Sequence, residues 1–368
     1  MDMRLGFDVT PLLDRRTGVG AFTRELLTRV AQHDSIDVVG YSVSWRGRDR
    51  LRDLVPPGVD VATRPAAAQP LRQLWRRTNW PSITWWTGPV DLVHGANFVV
   101  PPAGGAAELV TVHDLTFVRF PELCTRDTLQ YPDLIRRALR RGAHVHAVSE
   151  FVASEIIDVF DVSADRVHVV PNGIDRLAPG DAASGHQLAG GDRYVLAVGT
   201  IEPRKDFPLL VDAFDIVAAG DPDVRLVIAG QDGWGTEAFE AAVARARHRD
   251  RVVRPGWVDD RTRANLLSGA SVFAYPSRYE GFGLPPLEAM AAEVPVVATR
   301  AGALPQVLGD AAAYVDPGDT EGLAGVLTSL LADAPQRAAL IQRGQDQAAK
   351  YSWDACAAGL IQLYERLC

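Results

Sequence analysis

The stretch Ser271-Val-Phe-Ala-Tyr-Pro-Ser-Arg-Tyr-Glu-Gly-Phe-Gly-Leu-Pro-Pro-Leu-Glu288 decides how this chain is read. Residues 271–275 form a short apolar run, as expected of a strand buried on both faces. Gly281 and Gly283 allow a tight turn and close backbone approach, and Pro285 or Pro286 opens a helix running to about Ala292. Such a junction aims free N–H groups and a helix N-terminus at one point, which suits a diphosphate. Glu280 stands before the turn and Glu288 about one helical turn beyond it. Both carboxylates then reach one crevice from different sides and accept hydrogen bonds from sugar or ribose hydroxyls. A plain connection with a solvated glutamate at each end explains two glycines equally well. It does not explain nine residues in this order.

Outward from that stretch, apolar runs of similar length recur, most of them followed by residues with helical spacing. In the first half they fall at 4–9, 36–41, 92–94, 109–113, 144–148 and 167–170, and in the second at 194–198, 225–229, 251–254, 271–275, 294–299 and 312–315. Alternating β and α units predict parallel sheets. A length of 368 residues exceeds what one core usually organises, so two α/β domains are expected. The expected boundaries are 1–172, a linker at 173–192, 193–350, and a terminal helix at 351–368 that can pack back on the first domain. The linker reading rests on Pro171-Asn-Gly-Ile-Asp175 and on the Gly, Ala, Asp and Ser content from Leu177 to Asp192.

Hydrophobic residues make up 47% and charged residues 23%, an ordinary globular composition. A net charge of −8 argues against a general nucleic-acid binder, which needs excess lysine and arginine. Three scattered cysteines argue against a disulfide framework or a metal knuckle and point to a reducing, cytoplasmic setting. Residues 1–9 lack the features of a signal peptide, and no apolar run reaches the length of a membrane span.

Val198-Gly-Thr-Ile-Glu-Pro-Arg-Lys-Asp206 again joins a strand to a helix, this one starting near Phe207. Adjacent cations at the carboxyl edge of a parallel sheet offer charge-assisted bonds to phosphate and stabilise a departing diphosphate without a metal. A surface salt-bridge pair is the plainer reading, but Gly199 and Pro203 flank Arg204 and Lys205, which a mid-helix pair would lack.

The sequence resembles the retaining family-four glycosyltransferases of GT-B fold, in which two Rossmann-like domains present parallel sheets to a central cleft. The resemblance covers both halves. It implies that Glu280 contacts hydroxyls of the transferred sugar, that Glu288 contacts the ribose, and that Arg204 and Lys205 clamp the diphosphate. Gly230 and the Gly256-Trp257-Val258 turn are similar to segments lining the nucleobase. Gly18-Val-Gly20, ahead of an expected helix at 21–32, resembles the family's glycine loop. Val112-His113-Asp114-Leu115 matches the histidine beside the donor sugar, with Asp114 orienting that ring or capping the next turn. The implied catalytic set is His113, Glu280, Arg204 and Lys205. The implied donor-binding set is Gly18, Gly20, Gly199, Thr200, Gly230, Trp257, Val258, Ser277, Gly281, Phe282, Gly283, Leu284 and Glu288, with no metal. Ser149 is read as a helix N-cap.

Residues 45–86 carry eight arginines against three aspartates, interleaved with Trp45, Trp75, Trp80, Trp85 and Trp86. Such a face suits an anionic lipid surface or a glycan. The preferred reading places the tryptophans in a core and the arginines in solvent, because no clean amphipathic face is visible. The arginines at 136, 137, 140 and 141 are read the same way.

The resemblance is strongest to the mannosyltransferase branch, which implies GDP-mannose as donor and no obligatory cofactor. A UDP-sugar stays open, and the partner is a carbohydrate acceptor whose identity is not readable. Oligomeric state is not readable either. Rival readings are a nucleotide-sugar epimerase or hydrolase, and a sugar-binding regulatory subunit. A nucleotide-triphosphate motor is disfavoured by the missing Gly-x4-Gly-Lys-Ser/Thr string.

Overall fold

The computed structural model describes residues 3–13, 17–45, 48–62, 64, 67–174 and 178–368. Arg46, Asp175 and Leu177, which enter the readings above, lie outside them. The chain divides into two compact units, Met1–Gly173 with Ser352–Cys368, and Ile174–Tyr351.

The first unit holds a seven-stranded sheet of β1 (Met3–Asp8), β2 (Ile36–Tyr41), β3 (Val59–Val61), β4 (Leu92–Gly95), β5 (Ala107–Val112), β6 (His144–Ala147) and β7 (Val167–Val169). The second holds six strands, β8 (Tyr194–Val198), β9 (Arg225–Ala229), β10 (Val252–Gly256), β11 (Val272–Tyr275), β12 (Val296–Thr299) and β13 (Ala312–Val315). Their orders are β3-β2-β1-β4-β5-β6-β7 and β10-β9-β8-β11-β12-β13. Every pairing is parallel. Strand order therefore reverses between β1 and β4 in one sheet and between β8 and β11 in the other. Open α/β sheets bind ligands at that switch point, beyond the carboxyl ends of the strands.

The strands are apolar on both faces because helices cover both. Val195, Leu196 and Ala197 in β8 and Val296 and Val297 in β12 are fully buried. Burying one such valine or leucine side chain stabilises by about 1.5–3 kcal/mol, and these residues hold the strand ends in register. The sequence reading missed β3, a three-residue edge strand whose only signal is Val-Asp-Val after Pro57-Gly58.

The linker reading needs correction. Within 178–192 lies a helix, Ala182–Ala189, with Asp181 as N-cap and Gly190 in the left-handed conformation at its end. It packs on the helix Asp260–Gly269 through small residues rather than an apolar stripe. A Cβ on Gly180 would come within 2.2 Å of the Ala264 carbonyl oxygen, and one on Gly185 within 2.2 Å of that of Asn265. The composition that looked like a linker is what lets two backbones touch.

The terminal helix Trp353–Leu367 belongs to the first unit, where Trp353, Leu360, Leu363 and Tyr364 are buried. Tyr364 joins a buried chain of hydrogen bonds across the sheet. Its hydroxyl meets His94 Nδ1 at 2.7 Å, His94 Nε2 meets Thr111 Oγ1 at 2.7 Å, Thr111 Oγ1 meets His146 Nδ1 at 2.9 Å, and His146 Nε2 meets the Val170 carbonyl at 2.8 Å. A carbonyl can only accept, so His146 carries its proton on Nε2 and every other donor in the chain follows from that. Burial keeps both rings neutral, pushing His94 well below the usual histidine range and His146 to about 4.

The tryptophan reading is also corrected. Trp75 is buried, with its ring N–H on the Pro81 carbonyl, but Trp45, Trp80 and Trp85 are 66%, 56% and 53% exposed. Among the arginines of the helix Tyr131–Arg140 and its cap, Arg136 and Arg140 face solvent. Arg141 is instead half-buried, paired with Glu108 at 2.7 Å, and Arg137 bonds Asn79. Among the described residues no helix is long and apolar enough to cross a membrane.

Candidate functional site

The switch point of the second sheet places the segment after β8 beside the segment after β11, and these carry the two strongest sequence signals. After β8 the chain reads Gly199 to Glu202 and tightens into a 3₁₀ turn, Pro203–Lys205. Asp206 then takes a left-handed conformation, φ 50°, before the helix Phe207–Gly220. After β11 come Ser277, Glu280 and the helix Leu284–Ala291, preceded by Gly283 at φ 104°. The Arg278 N–H donates to the Arg204 carbonyl at 2.8 Å and ties the two segments together.

Around Glu280 they form a closed set of charges. Its Oε1 lies 2.6 Å from Lys205 Nζ and 2.7 Å from Arg204 Nη1. Arg204 also donates to Glu202 Oε1 at 2.7 Å and to the Tyr279 carbonyl at 3.0 Å. Lys205 Nζ donates to the Tyr275 hydroxyl at 2.5 Å and lies 4.6 Å from the centre of that ring. Glu202, Lys205 and Glu280 are all buried. Burial alone would raise the Glu280 carboxyl, but Arg204 and Lys205 outweigh it and hold the group at about 2. Burial, helped by Arg204, pushes the Lys205 ammonium down. The set of two cations and two carboxylates is formally neutral.

The backbone around it is built for close approach. A Cβ on Gly230, just after β9, would sit 1.8 Å from the Gly199 carbonyl oxygen, so only glycine fits. The Gly230 N–H donates to the Gly256 carbonyl at 2.8 Å, which brings the turn carrying Trp257 and Val258 alongside. Gly302, after β12 at φ 56°, lets the next loop press on Glu280, whose carbonyl accepts from the Ala303 N–H at 2.8 Å. Ser277 is fully buried, and its carbonyl accepts from the Thr299 hydroxyl.

The other residues singled out by sequence fall as follows. Thr200 is half-buried beside Gly199, Gly281 is buried, and Leu284 is the first residue of its helix. The Phe282 side chain is buried against the edge of Tyr351, a packing contact. Glu288 is held by Arg263, at 2.8 Å between Nη1 and Oε2. Trp257 is 46% exposed. In the first unit, His113 follows β5, donates from Nε2 to the Ala96 carbonyl at 2.9 Å, and lies edge-on to Phe22 and Phe98. Burial lowers its pKa, so the ring is neutral with Nδ1 as its basic nitrogen. Asp114 accepts from the Thr116 N–H at 2.9 Å, which is the capping alternative. Ser149 caps its helix by accepting from the Val152 N–H.

Gly18 and Gly20 require a correction. The helix starts at Gly18, three residues earlier than expected, and Thr17 is its N-cap. The Gly20 N–H is taken by Thr17 Oγ1 at 3.2 Å, so these glycines form a first helical turn instead of a loop ahead of it.

The sequence reading missed Glu202, Tyr275 and Arg263 as members of the site. The first two carried a usable signal, since each lies at a strand's carboxyl end within a few residues of a cation or carboxylate already chosen. Arg263 carried none. Among the described residues no group of three or more His, Cys, Asp or Glu side chains could hold a metal ion.

Two doubly wound parallel sheets, one with a cation–carboxylate set and glycine-lined backbone at its switch point, define the GT-B class of nucleotide-sugar-dependent transferases. Residues 182–347 match the family described as Glycosyl transferases group 1, and residues 16–176 match Glycosyltransferase Family 4. The chain belongs to glycosyltransferase family 4 and is a glycosyltransferase. O-antigen chain mannosyltransferase B of Escherichia coli is 28% identical over 394 residues, spanning 99% of this chain and 100% of that one. D-inositol 3-phosphate glycosyltransferase of Saccharomonospora viridis is 30% identical over 312 residues, spanning 75% and 70%. The sucrose-phosphate synthase of Thermosynechococcus elongatus superposes with a TM-score of 0.79 over 99% of each chain at 22% identity, a likeness of fold.

Proposed function

We propose that this protein transfers mannose from GDP-mannose to a carbohydrate hydroxyl with retention of anomeric configuration. The observation that carries the reading is the ion-paired set of Arg204, Lys205 and Glu280 at the switch point of the second sheet. The full-length similarity to a mannosyltransferase supports the choice of sugar. In this reading the second unit binds the donor and the first binds the acceptor.

Without donor, Glu202 and Glu280 together neutralise both cations. A diphosphate brings anionic oxygens that take over Arg204 and Lys205, and Glu280 turns to the hydroxyls of the attached sugar while Glu288 takes the ribose. As the bond between the anomeric carbon and the diphosphate oxygen breaks, negative charge grows on the diphosphate, and the two cations stabilise it where it develops. The acceptor oxygen bonds to the anomeric carbon on the same face. Its proton passes to the departing diphosphate oxygen, so no enzymic nucleophile is needed.

Thermal shift with GDP and with UDP tests the donor, since a ligand bound only by the native state raises the melting point. GDP should give the larger shift; a larger shift with UDP replaces the donor assignment. Radiolabelled GDP-mannose with octyl α-mannoside tests transfer. Release of GDP without acceptor, at the rate seen with it, would favour a hydrolase instead.

A further inference from the structure

The carboxylate assigned to the ribose is not presented alone. Glu288 lies about one turn into the helix Leu284–Ala291, with its side chain only 10% exposed, and its Oε2 is 2.8 Å from Nη1 of Arg263. Arg263 sits on the helix Asp260–Gly269, which begins directly after the Gly256-Trp257-Val258 turn and is capped by Asp259 accepting from the Thr262 N–H. On its own helix Asp260 Oδ1 lies 3.5 Å away, so of these two contacts the one across to the neighbouring helix is the shorter. One guanidinium thus joins the helix that follows the base-side turn to the helix that carries the ribose carboxylate.

We propose that Arg263 is a positioning residue for nucleotide recognition: it fixes the rotamer of Glu288, so that the carboxylate meets the ribose hydroxyls already oriented. The inference rests on the donor-site reading above and adds a determinant of ribose recognition to it. A planar guanidinium with one short bond to a carboxylate oxygen restricts that carboxylate far more than solvent does. A binding group held in its bound geometry loses less freedom on association. A bridge serving only to pin two helices predicts lower stability and leaves ribose recognition untouched.

The test is a cycle in GDP and 2′,3′-dideoxy-GDP, read by calorimetric Kd on the full chain. In the wild type, removing the ribose hydroxyls should weaken binding by about tenfold, the loss expected of a hydrogen bond to a charged group. In Arg263→Gln the Kd for GDP should rise by about tenfold, while the dideoxy compound binds both proteins within about twofold. Glu288→Gln should reproduce the loss, and the double variant should add no more than about twofold to it. Arg263→Lys keeps the charge without the planar fork and should fall between. With donor varied at saturating acceptor, the Arg263→Gln effect should appear in the KM for donor, with kcat retained. If Arg263→Gln loses as much as wild type when the hydroxyls are removed, the proposal is overturned. The same holds for Arg263→Lys should the glutamine variant not fold. A wild type that binds UDP better than GDP carries the same cycle over to UDP and its dideoxy form. A wild type that binds neither nucleotide refutes the donor-site reading itself, before any variant is made.

Discussion

Replacing Glu280 by glutamine separates the two roles its carboxylate plays, one in the unliganded fold and one in transfer. The side chain keeps its shape and loses its charge, leaving Lys205 Nζ and Arg204 Nη1 facing a neutral amide in place of the carboxylate oxygen now 2.6 and 2.7 Å away. Its pKa of about 2, against an ordinary 4.5, measures how much the site favours the charged form. At about 1.36 kcal/mol per pH unit that preference is ~3 kcal/mol, in line with the ~3–5 kcal/mol lost when one partner of a buried pair is removed. A unit of this size loses roughly 2–4 °C of melting temperature per kcal/mol, so the unliganded variant should melt roughly 6–12 °C lower. GDP then restores what the substitution removed, because its diphosphate supplies negative charge to the same two cations. The variant should therefore gain more from saturating GDP than the wild type does, while transfer from GDP-mannose falls by at least about tenfold, since the sugar hydroxyls lose a charged acceptor. Differential scanning fluorimetry with and without GDP, run beside a radiolabelled transfer assay, reads all three quantities. A variant with wild-type melting temperature and an unchanged GDP increment would refute the charge argument, and normal turnover would remove Glu280 from the chemistry.

Three further outcomes follow from the geometry. The buried rings of His94 and His146 have folded pKa values below the ordinary 6.5, His146 at about 4, so their contribution to stability is complete above pH 6.5 and drains away as pH falls toward 4. For His146 alone that is ~3 kcal/mol, and urea denaturation at pH 7 and pH 4.5 should show the loss; equal stabilities would contradict it. Gly230→Ala forces a Cβ to within 1.8 Å of the Gly199 carbonyl oxygen, so the loop must shift and the GDP thermal shift should disappear. Tyr275→Phe removes the hydroxyl 2.5 Å from Lys205 Nζ but keeps the ring beneath the ammonium, and kcat should drop by about tenfold or less with the fold unchanged in circular dichroism.

How much of this was legible in the sequence depends on how far apart in the chain the deciding contacts lie, and on what holds them. Parallel strands announce themselves as short apolar runs because both of their faces are covered, and all but β3 were read from that signal. Once β8 and β11 are adjacent, the fold itself brings the segments after them together, so Arg204, Lys205 and Glu280 could be chosen from strand ends alone. The helix Ala182–Ala189 was illegible for the opposite reason. Its contact with Asp260–Gly269 runs through glycines at close range, and close backbone packing leaves no apolar period to read. Trp45, Trp80 and Trp85 misled because a tryptophan's apolar bulk predicts burial, while nothing local records that these three lie at the surface.

Arg263 shows where such reasoning must stop and geometry take over. It lies 25 residues from Glu288, within a helix where an arginine is unremarkable in pattern and propensity. Both cations that sequence assigned, Arg204 and Lys205, follow Gly199 and Pro203 within a few residues at a strand end. Arg263 stands one turn inside a helix and acts on a carboxylate one turn inside another, so its meaning exists only after two helices have been packed side by side. Sequence locates the groups that meet a ligand through the backbone, because glycine and proline mark those places. It does not locate the groups that hold those groups still, because a side chain reaching across an interface leaves no mark on the backbone it leaves behind.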